Sequence, residues 1–329
     1  MPPFVSIVIC SRNRREALQS YALPSLEGLE YPNFEVIVVD DASSDDTQAF
    51  LRAYIGDADT EIGDADAEGG SEAQGGEPRG DNAADPEDPR RRLAGRLRLV
   101  RNPVSKGLCH ARNIGIAHSR GAIIAFIDDD CAVFPDWLRE LVSAYDADDI
   151  AVVGGVSYKG DSEAIYINDE CAWGCNMSFR ASIFRQFRFD TGLKYSHYAD
   201  ETDLIGRIMA HGYRRVIARR ALARHYVAEA SYRRQLPLSG YLNYHYLNAK
   251  REPLWGYYSY VFRHSLRHVA IVEYGVNFKG QMTSPLRTAL AVLSKALYYS
   301  YVLLLEIPLA ARIKHAREEA LFRRHRPAS

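Results

Sequence analysis

A doubly wound, mostly parallel α/β sheet with a C-terminal helical, aromatic-rich extension is the fold class this sequence predicts. Three observations carry it. The apolar runs VSIVIC (5–10), FEVIVVD (34–40), IIAFI (123–127) and IAVVGGV (150–156) are short and lack polar alternation, as strands buried on both faces require. Stretches of helical length lie between them, the alternation that builds βαβ units. The last third then changes character: 12 of the 21 tyrosines lie from Tyr226 onward, and residues 205–329 carry 21 Lys and Arg against 6 Asp and Glu.

VSIVIC opens the sheet, and Arg14 to about Leu29 reads as the first helix. After FEVIVVD, the Ser and Asp residues of SSDDTQAFLRAYI are suited to cap the amino end of a second. Residues 56–89 hold 12 acidic residues and a single basic one, Arg79, a net charge of −11. With so few apolar side chains to offset ordering entropy, a disordered surface loop is expected over about 56–95. Regular structure resumes with LRLVR (97–101), a helix from about Leu108 to His118, the strand IIAFI, a helix from Pro135, and IAVVGGV.

The whole chain carries a formal charge of −1, so everything outside residues 56–89 carries +10, which suits an anionic partner. Five cysteines form no zinc-type spacing, and an odd number argues against a secreted disulfide framework. They read as small packing residues in a reducing compartment. MPPFVSIVIC lacks the basic start and long apolar core of a cleaved signal peptide.

Ligands of doubly wound sheets bind beyond the carboxyl ends of the strands. Asp40, Asp41, Asp128, Asp129 and Asp130 all fall there. Adjacent carboxylates repel one another and their pKa values rise unless a cation intervenes. A divalent ion such as Mg2+ or Mn2+, which takes hard oxygen ligands, is the simplest remedy. A plain turn and helix cap before Pro135 is the alternative, and the second acidic pair, in VVDDASSD, weighs against it.

VSIVICSRNR, VIVVDDASSDDT, SKGLCHARNIGIAHSRGAIIAFIDDD, PDWL, WGCNMSFRASIF (173–184) and ADETDLIGRIMAHGYR (199–214) follow one another in an order that resembles family-2 glycosyltransferases. The resemblance covers roughly residues 4–226 apart from the acidic insert. It implies a GT-A catalytic domain over 1–226, with a nucleotide-sugar half at about 4–157 and an acceptor half at about 158–226. The activity it implies is metal-dependent, inverting transfer from a nucleoside diphosphate sugar, UDP above all, to a lipid-linked or growing glycan acceptor. The alternative is a non-catalytic, membrane-associated nucleotide or sugar binder. A phosphatase of the DxDx[TV] type fits poorly, because Ala132 stands where Thr or Val is needed.

Carried over by position, the resemblance places Ser11, Asn13 and Arg14 against the nucleotide and Asp40 or Asp41 at its base. Arg112 and Asn113 would border the nucleotide, as would Asp128 and Asp129. Asp128 and Asp130 would hold the metal, with His225 either a further ligand or a structural residue. Glu201 aligns with the catalytic base and Asp200 with its partner, while Asp203 would support the helix. Gly174 and Asn176 align with the acceptor side; the other reading of this segment is a buried edge strand whose Asn satisfies backbone groups. Cys10, Arg12 and Cys131 depart from the usual residues, which leaves the nucleotide open more than the class.

KREPLWGYYSYVFRHSLRHVAIV (250–272) combines the Trp and Tyr of membrane interfaces with basic residues that would meet an anionic membrane surface. TALAVLSKALYYSYVLLL (288–305) nearly reaches spanning length, but Lys295 at its middle costs about 2.5–3.5 kcal/mol, and Glu306 and Pro308 close it. Residues 227–329 are therefore expected to lie in the membrane plane or to pack in a homo-oligomer. That puts the protein at the cytoplasmic face of the cell membrane, peripheral or monotopic. A tyrosine-rich subdomain packed on the catalytic core is the alternative. Without a nucleic-acid module, nucleic acid is not an expected partner.

Overall fold

The computed structural model describes residues 2–55, 60–62, 93, 95–165, 174–193, 199–227, 236–259, 261 and 302–324. Its strands are β1 (Val5–Ser11), β2 (Phe34–Asp41), β3 (Thr60–Ile62), β4 (Leu97–Asn102), β5 (Ile123–Asp128), β6 (Cys131–Val133), β7 (Ile150–Lys159), β8 (Met177–Arg180) and β9 (Arg214–His225). They form one sheet in the order β3-β4-β2-β1-β5-β8-β7-β9-β6. Pairing is parallel from β3 through β5, antiparallel on both sides of β8, parallel between β7 and β9, and antiparallel between β9 and β6. The expected mixed, mostly parallel α/β architecture is present.

One neighbour differs from the expectation. IAVVGGV runs in the same direction as β5, yet β8 lies between them, so β8 is an interior strand and not an edge strand. Met177 and Phe179 are wholly buried, and Phe179 joins Phe126, Phe184 and Phe189 in an aromatic cluster with centroids 5.3–6.4 Å apart. On the opposite face Ser178 Oγ donates to Val153 O at 3.0 Å and lies 3.0 Å from Tyr145 Oη.

The first helical stretch is broken into α1 (Arg15–Ala17), a π-helical turn (Leu18–Ala22) and α2 (Leu23–Glu27). Pro24 has no N–H for the regular bond four residues back, and Leu23 N reaches Leu18 O, five back. α3 (Thr47–Ile55) follows β2, with Thr47 N donating to Asp45 Oδ1 at 3.0 Å. α4 (Leu108–His118), α5 (Trp137–Ser143) and α6 (Asp200–Ala210) complete the set used below.

The acidic insert is not disordered throughout. Thr60–Ile62 adds β3 to the outer edge of β4, and Leu93 is fully buried in the main core. An open sheet edge offers backbone partners that a polar segment can take without a core of its own. The remainder of 56–95 lies outside the described residues.

One face of the sheet, with Val5, Ile7, Ile9, Val36, Val38, Leu97, Leu99, Ile123 and Ile127, packs on Leu18, Leu23 and Leu26 and on Trp137, Leu138 and Leu141. On the other face α4 sits close to β1: a Cβ on Gly115 would fall 2.4 Å from Val8 Cγ1. At the amino ends of the strands Glu35 is buried, where Ser6, Arg98 and Arg120 donate to it. Burial works against this carboxylate, but those donors hold it below its usual pKa.

The chain divides into two compact units, residues 1–191 with 200–229, and residues 192–199 with 230–329. In the second, the helices Leu236–Arg251 and Ile307–Arg324 pack together, with Tyr246, Tyr257, Val302, Ile307 and Ala311 buried. Among the described residues no helix is long and apolar enough to cross a membrane. Lys295 and most of 288–305 lie outside the described residues.

Candidate active site

Parallel pairing brings the carboxyl ends of three strands level. Ser11 lies opposite Asp40, and Cys10 opposite Asp128. The chain then turns at Asp129 and Asp130 and leaves as β6, which pairs Cys131 with His225 at the end of β9. Tyr226 N donates to Asp130 O at 2.8 Å. The π-helical turn presents Tyr21, which stacks on Tyr226 with centroids 4.1 Å apart and planes 10° from parallel. Both contacts anchor the segment that carries His225.

The three adjacent carboxylates are partly offset by cations and donors of the protein itself. Ser11 Oγ donates to Asp129 at 2.8 Å, and Arg14 binds Asp129 at 3.2 Å and also Asp130. His225 Nε2 is 3.0 Å from Asp130 Oδ1 and 3.8 Å from Asp128 Oδ2, and Arg112 Nη2 is 3.6 Å from Asp128 Oδ1. These cations, which the sequence argument left out, offset part of the cluster's charge before any metal ion does. Burial pushes Asp128 up to about 7 against the pull of His225 and Arg112, and Asp129 up to about 6 against that of Arg14. Asp130 is also buried, but His225 and Arg14 outweigh that and lower it. Burial opposes the His225 imidazolium, yet its bond to Asp130 leads a set of contacts that raise it to about 11. Asp128 keeps 35% of its side chain exposed, against 11% for each of its two neighbours, so it is the member open to a ligand.

Arg112, projecting from α4, reaches the first turn of α6 as well. Its guanidinium binds Asp200 directly and lies 5.3 Å from the Phe189 ring centre. Gly174 makes room for it, since a Cβ there would stand 2.4 Å from Arg112 Nη2. Burial works against the Asp200 carboxylate, but the Arg112 charge lowers its pKa. Its neighbour Glu201 goes the other way: burial first, then the charge of Asp200, hold it well above the usual carboxylate range. Two adjacent carboxylates pushed apart in this way are suited to different roles. Asp203, wholly buried, binds Arg207 one turn on, a support for α6.

Several residues expected at ligand contacts make structural ties. Asn113 spends its carboxamide on Phe189, donating to its O at 2.9 Å and accepting from its N at 3.0 Å. Asn176 is 1% exposed; it donates to Val156 O and Ala221 O and accepts from Trp137 Nε1. Both arrangements have one cause: buried polar groups need partners, and these amides provide them. Gly174, expected on the acceptor side, instead clears space for Arg112. Asn13, at φ 55°, joins two loops, with Oδ1 accepting from Ser44 N and Asp45 N. Asp41 accepts from Asn102 and Ser105, whereas Asp40 accepts from Ser43 N through Oδ1 and its buried Oδ2 has no hydrogen-bond partner among the described residues.

Sequence reasoning took the cysteines as packing residues. Cys131 and Cys175 instead come to the same place as Asp128 and His225, one ligand atom of each lying within 4.8 Å of the others. Their positions in sequence, Cys131 at the start of β6 and Cys175 in the turn before β8, give no spacing by which to find them. A shallow groove lined by Leu26, Glu30, Tyr31, Phe34 and Arg96 lies at the amino ends of the strands, away from these groups.

Comparison with known proteins gives a consistent picture. The family model described as Glycosyl transferase family 2 matches residues 6–62 and 81–222, more than half of the chain. The glycosyltransferase AglE of Haloferax volcanii is 31% identical over 155 residues, 46% of this chain and 39% of that protein. The succinoglycan biosynthesis protein ExoO of Rhizobium meliloti is 31% identical over 145 residues, 44% of this chain and 30% of that protein. The chain thus matches less than half the length of these relatives. The mannosyltransferase PcManGT from Pyrobaculum calidifontis, solved with GDP-Man and Mn2+, superposes with a TM-score of 0.51 at 18% identity, covering 100% of this chain and 77% of that one. S. aureus TarS 1-349 gives 0.53 at 15% identity, covering 99% and 93%, and its complex with UDP gives 0.51. At these identities the likeness is one of fold.

Proposed function

Because the chain belongs to glycosyl transferase family 2, we propose that it is a metal-dependent, inverting glycosyltransferase. It moves a sugar from a nucleoside diphosphate sugar, with UDP the favoured nucleotide, to a lipid-linked or growing glycan acceptor. One contact supports this above all: Arg112 touches Asp128 on the donor side and Asp200 beside Glu201, which joins both sets of carboxylates in one site. In this reading Glu201 accepts the proton of the attacking acceptor hydroxyl. Asp200, kept ionised by Arg112, raises the proton affinity of Glu201 and holds the start of α6 in place. Asp40, with Oδ2 unengaged, is better placed than Asp41 to accept a hydrogen bond from the base.

Asp128 and Asp130 offer hard oxygen donors to a Mg2+ or Mn2+ ion, and His225 offers a nitrogen once the ion displaces the proton it shares with Asp130. Their spacings of 3.0 and 3.8 Å to His225 Nε2 fit neighbouring ligands around an ion with bonds of about 2.1 Å. When bound, the ion would stabilise charge on the departing diphosphate. Arg14 and Arg112, already beside these carboxylates, would add positive charge facing the phosphates.

The second unit is proposed to rest on the anionic cytoplasmic face of the cell membrane. Trp255 is 78% exposed, and Leu254, Leu304, Leu305 and Leu309 are exposed as well, an apolar set that an interface would cover. The test of function is a thermal-shift panel of UDP- and GDP-sugars with Mn2+. A true donor at 100 times its Kd adds about 2.7 kcal/mol of stability. If no nucleotide sugar raises the melting temperature, the proposal fails.

A further inference from the structure

Two cysteines adjoin Asp128, and no step of sugar transfer uses them. Strand pairing explains how they arrive. β6 sets Cys131 opposite His225, and β5 pairs with β8 up to Phe126 and Met177, beyond which the two chains carry Asp128 and Cys175 on from the end of the ladder. An Asp–Cys pair and a Cys–His pair therefore meet, with one ligand atom of each residue within 4.8 Å of the other three.

We propose that Asp128, Cys131, Cys175 and His225 form a four-ligand site for a thiophilic divalent ion of the Zn2+ type. It overlaps the hard-ion site at Asp128 and His225. A tetrahedral ion with bonds of about 2.0–2.3 Å needs ligand atoms about 3.3–3.8 Å apart. Closing the set thus requires the longest edge to shorten by no more than about 1.5 Å. Thiolates select Zn2+ over Mg2+ and Mn2+, and Zn2+ stands above Mn2+ in affinity for nitrogen and sulfur donors generally. Cys131 is 0% and Cys175 3% exposed, so entry is from the side of the partly open Asp128. Ser157 Oγ, 3.7 Å from Cys175 Sγ, is in place to donate to the thiolate once the thiol proton leaves. The inference stands on these side chains whether or not the protein transfers sugar. Its consequence is competition: an ion held by the thiolates uses Asp128 and His225, which the hard ion also needs.

The probe is Co2+, the spectroscopic stand-in for Zn2+, added to the full-length, tag-free chain with a non-thiol reductant present. One equivalent should give the intense visible bands of a tetrahedral ion and a thiolate-to-cobalt charge-transfer band in the near ultraviolet. Zn2+ should bleach both, and excess Mn2+ should not. Cys131→Ser combined with Cys175→Ser should abolish the charge-transfer band and weaken Zn2+ binding by more than the roughly 100-fold that loss of a partner behind a metal ligand can cost. Weak octahedral bands without charge transfer in the wild-type chain would overturn the site, even if the double variant does not fold. So would equal Zn2+ affinity in both proteins. The readout is metal geometry and not turnover, so a failed activity assay and a failed metal site remain distinct results.

Discussion

Arg112 and Asp200 form an ion pair closed off from solvent, their side chains 4% and 2% exposed. Burial alone would lower the guanidinium's pKa, but Asp200, Asp128 and Glu201 raise it, so the pair is charged across the working range. Removing one partner of such a pair strands the other. Arg112→Met should cost about 3–5 kcal/mol, and Arg112→Met with Asp200→Asn should recover part of that loss. Urea unfolding of both variants measures it; a single variant within 1 kcal/mol of wild type, a limit set by exposed pairs, would show that Asp200 is not stranded.

Glu201→Gln keeps the shape of the side chain and removes the base. Transfer should fall by about 10²–10⁴, while the melting temperature and donor affinity stay close to wild type. Initial-rate kinetics and donor titration on the same preparation separate these effects.

The pH profile follows from the opposite shifts of the two α6 carboxyls. The base acts when ionised, so activity rises with pH through the Glu201 pKa, which lies well above 4.5. The Asp200 charge is one of the causes that raise it. Asp200→Asn should therefore move the acid limb of kcat/KM to lower pH, provided the variant stays folded. A limb that stays put, or moves up, would remove Glu201 from the role of base.

Asn113 and Asp40 separate structure from recognition. Asn113→Ala leaves two backbone groups of Phe189 without partners and should cost about 1–3 kcal/mol, with donor affinity unchanged in the folded fraction. Asp40→Asn should weaken nucleotide binding, with the larger loss on base-containing ligands than on the diphosphate alone. Isothermal titration with the nucleotide and with pyrophosphate tells them apart.

Gly115 tests the close packing of α4 on β1. A methyl group there falls 2.4 Å from Val8 Cγ1. Gly115→Ala should destabilise by about 1–3 kcal/mol through overpacking, despite alanine's better helix propensity. Gly115→Ala with Val8→Ala should be the less strained protein, and chemical denaturation of the two decides it.

Chelation and Asp130→Ala address the hard ion. Mn2+-dependent hydrolysis of the donor sugar should be lost on treatment with EDTA, return with Mn2+, and be absent in Asp130→Ala at any Mn2+ concentration. Full turnover in the chelated protein would leave the charge of the diphosphate to protein cations such as Arg14, Arg112 and His225.

The sequence by itself determined β1, β2, β4, β5 and β7, the direction of the sheet's parallel half and the rim on which Asp40 and Asp128–Asp130 stand. An apolar run buried on both faces is legible from its neighbours in the chain, and parallel pairing puts every carboxyl end on one side. Only the tertiary structure decided which charge meets which. Arg14 binds Asp129 and Asp130, Arg112 binds Asp200, and His225 reaches Asp130 because β6 pairs with β9. It also placed β8 between β5 and β7, gave the amides of Asn113 and Asn176 to backbone, and brought Cys131 and Cys175 together. The physical reason is range. Backbone propensity and hydrophobic period act over a few residues, whereas the desolvation of a charge or an amide is settled by whatever the fold packs against it, from any distance along the chain.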